Sequence, residues 1–80
     1  MSEVEASEET TLKNAKMCLE LWLKEKEYRL IDSSDWTRWT YGEPFWAVSI
    51  EVFGMSFYGR LGLHIHDTGE ILCVTKNDMY

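Results

Sequence analysis

His64-Ile65-His66-Asp67 is the segment whose residue types come nearest to chemistry. Residues two apart on a strand project to the same face, so an H-x-H pair offers two imidazoles to zinc or iron once a third ligand converges. Glu70, expected opposite His66 across a turn, is the candidate third ligand. The competing reading makes His64 and His66 ordinary outer-face residues, with His66 and Glu70 as a cross-strand ion pair. It is preferred here because a lone H-x-H without a second supporting motif has low specificity. A metal-binding or enzymatic module using His64, His66 and Asp67 is kept as an alternative, and no cofactor is expected.

Other chemistry is thinner. A thiol nucleophile needs an imidazole within hydrogen-bond reach. The expected register puts Cys73 on the helix-facing side of the sheet and both histidines on the other, so Cys73 reads as a small buried hydrophobe. Cys18 reads as a core or border residue. Glu43, Glu51 and Glu70 could furnish a carboxylate pair, but a small two-layer domain has little room for the enclosed cleft such a pair needs. There is no glycine-rich phosphate loop and no serine elbow.

The segment Trp36-Thr37-Arg38-Trp39-Thr40-Tyr41 carries the most information. Trp, Tyr and Arg are the types enriched in binding hot spots, and here they stand together between two turn signals. As a strand, it would align Trp36, Arg38 and Thr40 on one face and Thr37, Trp39 and Tyr41 on the other. The segment reads equally as a strand or an aromatic loop, and its rings either close a small core or present a surface. Trp36, Arg38, Trp39, Tyr41 and the following Glu43 are the candidate partner-binding residues.

The elements that position these groups follow from periodicity. Leu12, Ala15, Leu19 and Trp22 recur at helical spacing, with Glu8 and Glu9 at the start and Lys24 and Lys26 at the end, which predicts a helix from about 8 to 26 with Ser7 as its N-cap. Tyr28-Arg29-Leu30-Ile31 is a short strand candidate, followed by a turn at Asp32-Ser33-Ser34-Asp35. Trp46, Val48, Ile50 and Val52 alternate with Ala47, Ser49, Glu51 and Phe53, as a half-buried strand does. Gly54-Met55 reads as a two-residue hairpin turn, pairing Val52 with Phe57, Ile50 with Gly59, Val48 with Leu61 and Trp46 with Leu63. The outer face would then pair Glu51 with Tyr58 and Ser49 with Arg60. Asp67-Thr68-Gly69 reads as a three-residue hairpin loop pairing His66 with Glu70, Ile65 with Ile71 and Leu63 with Cys73. The expected architecture is α+β: one N-terminal amphipathic helix on an antiparallel meander of three to five strands. Residues 1–7 read as an acidic flexible tail, 8–76 as one domain and 77–80 as a C-terminal tail.

The chain has 80 residues and a formal net charge of −6. A domain this small buries only about 60–65% of its unfolded surface and depends on large side chains, here four Trp, four Tyr and three Phe. Four of the six negative units sit at Glu3, Glu5, Glu8 and Glu9, leaving −2 for residues 11–80. Phosphate recognition needs clustered Lys and Arg, and the eight present form no run, so direct nucleic-acid binding is not expected. No apolar stretch approaches the roughly 20 residues needed to span a bilayer, and the first residues lack the pattern of a signal peptide. A cytoplasmic protein with free thiols is expected.

Phe45-Trp46-Ala47-Val48, as a first long strand, and His66-Asp67-Thr68-Gly69-Glu70-Ile71-Leu72, as a closing hairpin, resemble the PepSY family of small bacterial modules. The same closing pattern resembles the end of small bacterial toxin-immunity proteins. The resemblance covers residues 45–75. It implies a helix-plus-meander fold and a non-catalytic role: binding, and often restraining, another protein.

The sequence therefore points to a small protein-binding module of inhibitor or immunity type that occludes a partner, for which a basic toxin or nuclease is a fitting class. A phage-type anti-defence inhibitor is a second reading. A homodimer through the outer sheet face, where Phe45, His64 and Leu72 would form an apolar patch, is a third. Removing residues 1–7 is expected to leave the circular dichroism and the thermal midpoint unchanged. A lowered midpoint would show that the acidic segment belongs to the folded unit.

Overall fold

The computed structural model of the chain describes residues 8–79; the expected tail at 1–7 and the Ser7 cap lie outside them. Helix α1 spans Glu8–Lys26. Five strands follow: β1 (Arg29–Ser33), β2 (Thr37–Trp39), β3 (Phe45–Phe53), β4 (Tyr58–His66) and β5 (Ile71–Asp78). They form one antiparallel sheet in the order β1-β3-β4-β5, with β2 pairing the same side of β3 as β1 does. The result is an α+β two-layer arrangement, as the periodicity predicts.

Glu8 and Glu9 stand at the positive end of the helix dipole, and Lys24 and Lys26 at its negative end. The helix stops in a Schellman turn. Glu27 N–H donates to the Lys24 carbonyl at 3.1 Å, and Tyr28 N–H donates to the Leu23 carbonyl at 2.9 Å. This turn demands a left-handed residue, and Glu27 supplies it at φ 60° without being glycine. Tyr28 then turns inward, its ring 6.0 Å from both Trp22 and Phe57.

The core lies between α1 and the two long central strands. Ala15, Leu19 and Leu23 from the helix meet Trp46, Val48, Ile50 and Val52 of β3, with Leu61, Leu63 and Ile65 of β4 and Phe57 just before it. Both long strands alternate buried and half-buried residues along their whole length. Trp46 also donates its indole N–H to Thr11 Oγ1 at 3.2 Å, tying the helix start to β3.

The β3–β4 register differs from the expected one by two residues. Val52 pairs with Gly59, Ile50 with Leu61, Val48 with Leu63 and Trp46 with Ile65. Gly54 N–H donates to the Phe57 carbonyl at 2.7 Å, so the hairpin tip is Met55-Ser56, one step later than Gly54-Met55. The reason is local. A Cβ on Gly54 would stand 2.7 Å from the Tyr28 ring, so this glycine admits the tyrosine instead of making the turn. Because the shift is even, every side chain keeps its face. The closing hairpin has the expected pairing, with Gly69 at φ 99°, His66 N–H donating to the Glu70 carbonyl, and Ile65 and Leu63 opposite Ile71 and Cys73.

Two expectations about β5 are corrected. The strand runs to Asp78, which pairs with Gly59, so the sheet continues past residue 76. Cys73 occupies a helix-facing position but is exposed: α1 meets β5 where Ile71 packs against the core, and the strand is exposed from Leu72 onward. A helix is about 10 Å across and strands are about 4.8 Å apart, so one helix covers roughly two strands.

Replacing Glu27 by Gly is expected to stabilise the domain by about 0.5–1 kcal/mol, read as a higher urea midpoint at unchanged slope. An equal or lower midpoint would contradict the left-handed assignment at this turn.

Candidate functional site

The uncovered face of the sheet carries the residues of interest. On β3 and β4, the pairs Phe45/His66, Ala47/His64, Ser49/Gly62, Glu51/Arg60 and Phe53/Tyr58 point away from the helix. β2 adds Thr37 opposite Ala47 and Trp39 opposite Phe45. A bulge leaves Ile31 unpaired and brings Asp32 opposite Glu51. A second bulge, on β5, leaves Val74 unpaired between Cys73 and Thr75.

At one end of this face the rings form a ladder. Trp39 lies 6.2 Å from Phe45 with the ring planes 13° apart, and Phe45 stacks on His64 at 4.1 Å. Tyr41 flanks Trp39 at 6.4 Å, and His66 flanks Phe45 at 5.3 Å. Trp39 is 47% exposed and Tyr41 84% exposed, and Leu72, opposite His64, is exposed as well. Next to the ladder lies an open trough of about 240 Å³, bordered by Asp35, Thr37, His64 and Val74. The hollow exists because Ala47, Ser49 and Gly62 on its floor have almost no side chain. A Cβ on Gly62 would collide with Thr75 Oγ1, so a larger residue there would force Thr75 to move. Ser34 closes one end through paired backbone bonds with Ser49, Ser34 N–H to the Ser49 carbonyl at 2.8 Å and Ser49 N–H to Ser34 Oγ at 2.9 Å.

The opposite end of the face is polar. Tyr58 donates its hydroxyl to Glu51 Oε2 at 2.9 Å, and Arg60 lies 3.4 Å from Asp32 and 3.7 Å from Glu51. The hydrogen bond to the Glu51 carboxylate raises the Tyr58 hydroxyl above its ordinary pKa. Arg60 thus serves both acids at this end, one cation between two carboxylates.

The candidate residues from the sequence fall into two groups. Trp39, Tyr41 and Glu43 lie at the ring end of the open face, and Trp36 and Arg38 do not. Trp36 packs against the core beside the helix. Arg38 pairs with Trp46 at a helix-side position, its guanidinium 5.3 Å above the Trp46 ring. It donates both terminal nitrogens to Asp67, Nη1 to Oδ1 and Nη2 to Oδ2, each at 2.8 Å. This bidentate pair joins β2 to the loop after β4, and Asp67 N–H adds a bond to the Pro44 carbonyl at 3.2 Å. The rings of segment 36–41 are thereby sorted by strand alternation, one Trp to each side.

His64 and His66 do lie on one face, but against Phe45, His64 stacked on it and His66 tilted. His66 Nδ1 is buried and makes no hydrogen bond; Glu43 Oε1 is 3.3 Å from it, an ion pair only when the imidazole is protonated. Among the described residues no three His, Cys, Asp or Glu side chains gather to hold a metal, so His64, His66 and Glu70 do not converge as the alternative reading requires. Sequence reasoning missed Asp67 as the partner of Arg38, and Ala47, Ser49, Gly62 and Val74 as the trough. The run of small outer-face residues was a usable signal, given the right register.

A scan against protein-family models, a search of curated proteins and a search of solved structures each find no match to this chain. Among the described residues no helix is long and apolar enough to cross a membrane.

The hydrogen bonds and charge of Arg38 hold the Asp67 carboxyl below its usual range. A depressed carboxylate stabilises the fold above its unfolded pKa of about 3.9 and loses that contribution as pH falls through the folded value. Asp67→Asn is therefore expected to cost about 1 kcal/mol at pH 7, screening by water included. Urea melts at pH 7 and in strong acid should show the gap between wild type and variant closing at low pH; a constant gap would contradict the clamp.

Proposed function

We propose that the chain is a small non-catalytic protein-binding module of inhibitor or immunity type, acting in the cytoplasm by covering a surface of its partner. The observation that carries this reading is the ring ladder Tyr41-Trp39-Phe45-His64 on an otherwise open sheet face. Exposed rings held in place by strand pairing lose little side-chain freedom on docking, and Trp and Tyr supply large contact area for it.

Two further features support the reading. The concavities are open and shallow, a shape suited to a protein surface more than to a small substrate. The rings are backed by a firm layer, since Arg38–Asp67 and the β2–β3 pairing fix the segment that carries Trp39. Docking would work by occlusion, with Trp39 and Tyr41 as anchors and Glu43 at the rim. Charge at the rim would speed encounter and fix orientation more than add affinity.

The double replacement Trp39→Ala with Tyr41→Ala is expected to abolish capture of a specific partner from host lysate and to leave circular dichroism and the urea midpoint close to wild type. Trp36→Ala should instead lower stability by about 2–3 kcal/mol, as large-to-small changes at a packed site do. Leu21→Ala, on the exposed side of the helix, serves as the control and should retain the partner. Equal capture by wild type and the double variant would remove the ring ladder from the binding surface.

A further inference from the structure

We infer that the ring ladder receives an arginine side chain of the partner, with an apolar neighbour of that arginine seated in the adjoining trough. This rests on the protein-binding reading and names the chemistry of the group that docks.

The chain places its own cations over three other aromatic rings: Lys26 over Trp22 at 5.8 Å, Arg38 over Trp46 at 5.3 Å and Lys76 over Phe57 at 4.8 Å. Among the described residues none stands over Trp39, Tyr41 or Phe45, the most exposed ring cluster of the domain. Several surface carboxylates have no Lys or Arg partner among the described residues, and two of them border these rings. Asp32 and Glu51 share Arg60, and Asp67 has Arg38. Asp35 at the trough and Glu43 beyond the rings have no Lys or Arg within ion-pair distance; the nearest basic group to Glu43 is the His66 imidazole. The exposed rings of Trp39 and Tyr41 beside these carboxylates attract a cation, and a planar guanidinium stacks on such rings better than an ammonium does.

The spacing fits an extended partner segment. Phe45 and Ala47 are successive outer-face residues of β3, two apart. An extended chain lying along β3 places every second side chain on the sheet at nearly the same interval, about 6.8 Å. An arginine against Trp39, level with Phe45, therefore puts the side chain two residues away above Ala47, at the trough. The trough has the size and the apolar lining for a leucine-sized group.

The test uses the full chain labelled with nitrogen-15 and the acetylated, amidated peptide Ala-Leu-Gly-Arg-Ala. Its counterpart replaces arginine with citrulline, which keeps the planar shape and removes the charge. The arginine peptide is expected to move the Trp39 indole signal and the amides of 35–47, and the citrulline peptide to bind about tenfold more weakly. Glu43→Gln combined with Asp35→Asn should weaken the arginine peptide several-fold while leaving the rest of the spectrum in place. Equal binding of both peptides would overturn the cation assignment and leave the docking surface standing. No binding of either peptide, with a partner still captured through Trp39 and Tyr41, would overturn it too. Loss of that capture with the double ring variant is read separately, so the two ideas fail in different experiments.

Discussion

A single helix has to serve a five-stranded sheet, and most of the architecture follows from that shortage. A sheet needs cover where its side chains are apolar, and one helix covers roughly two strands on one face. β3 and β4 supply every buried strand residue of the core, packed against Ala15, Leu19 and Leu23 of α1. What lies beyond the helix must live with water or with a partner. That places Cys73 in solvent on the helix side of β5, and leaves the whole opposite face open.

On that open face the two ends solve the problem differently. One end is polar and internally bonded, with Arg60 shared by Asp32 and Glu51 and the Tyr58 hydroxyl donated to Glu51. The other is aromatic, with rings stacked against rings and two carboxylates nearby that lack a Lys or Arg. Stacking hides part of each ring from water but does not cover the ladder, and Trp39 and Tyr41 remain accessible. The clamp between Arg38 and Asp67 decides which rings these are. It holds β2 so that Arg38 lies over Trp46 toward the helix, and strand alternation then puts Trp39 outside. Had β2 slipped by one residue, the inner and outer sets would have exchanged.

Much of this is legible in the residues. The helix, both long strands, the Asp67-Thr68-Gly69 loop and the composition of each sheet face follow from period and turn chemistry. The alternation within 36–41 was also readable, as two sets of residues, but not which set would be buried. That choice depends on a salt bridge across 29 positions of sequence, which no local pattern announces. The hairpin tip was misplaced for a related reason. Gly54 looks like turn chemistry, yet it is glycine because Tyr28, from another part of the chain, lies against it. The extent of β5 and the exposure of Cys73 depend on how far the helix reaches, which is a property of packing.

The sorting of the tryptophans is the claim on which the account turns, and it can be measured without knowing the partner. The chain labelled with 5-fluorotryptophan gives one fluorine signal for each of Trp22, Trp36, Trp39 and Trp46, assignable by single replacements. A soluble gadolinium chelate broadens each signal according to how closely it approaches the ring. The account predicts that Trp39 is attenuated most and Trp46, 5% exposed under the helix, least, with Trp36 well protected relative to Trp39. A Trp39 signal as protected as that of Trp46, or a Trp36 signal more accessible than Trp39, would contradict it.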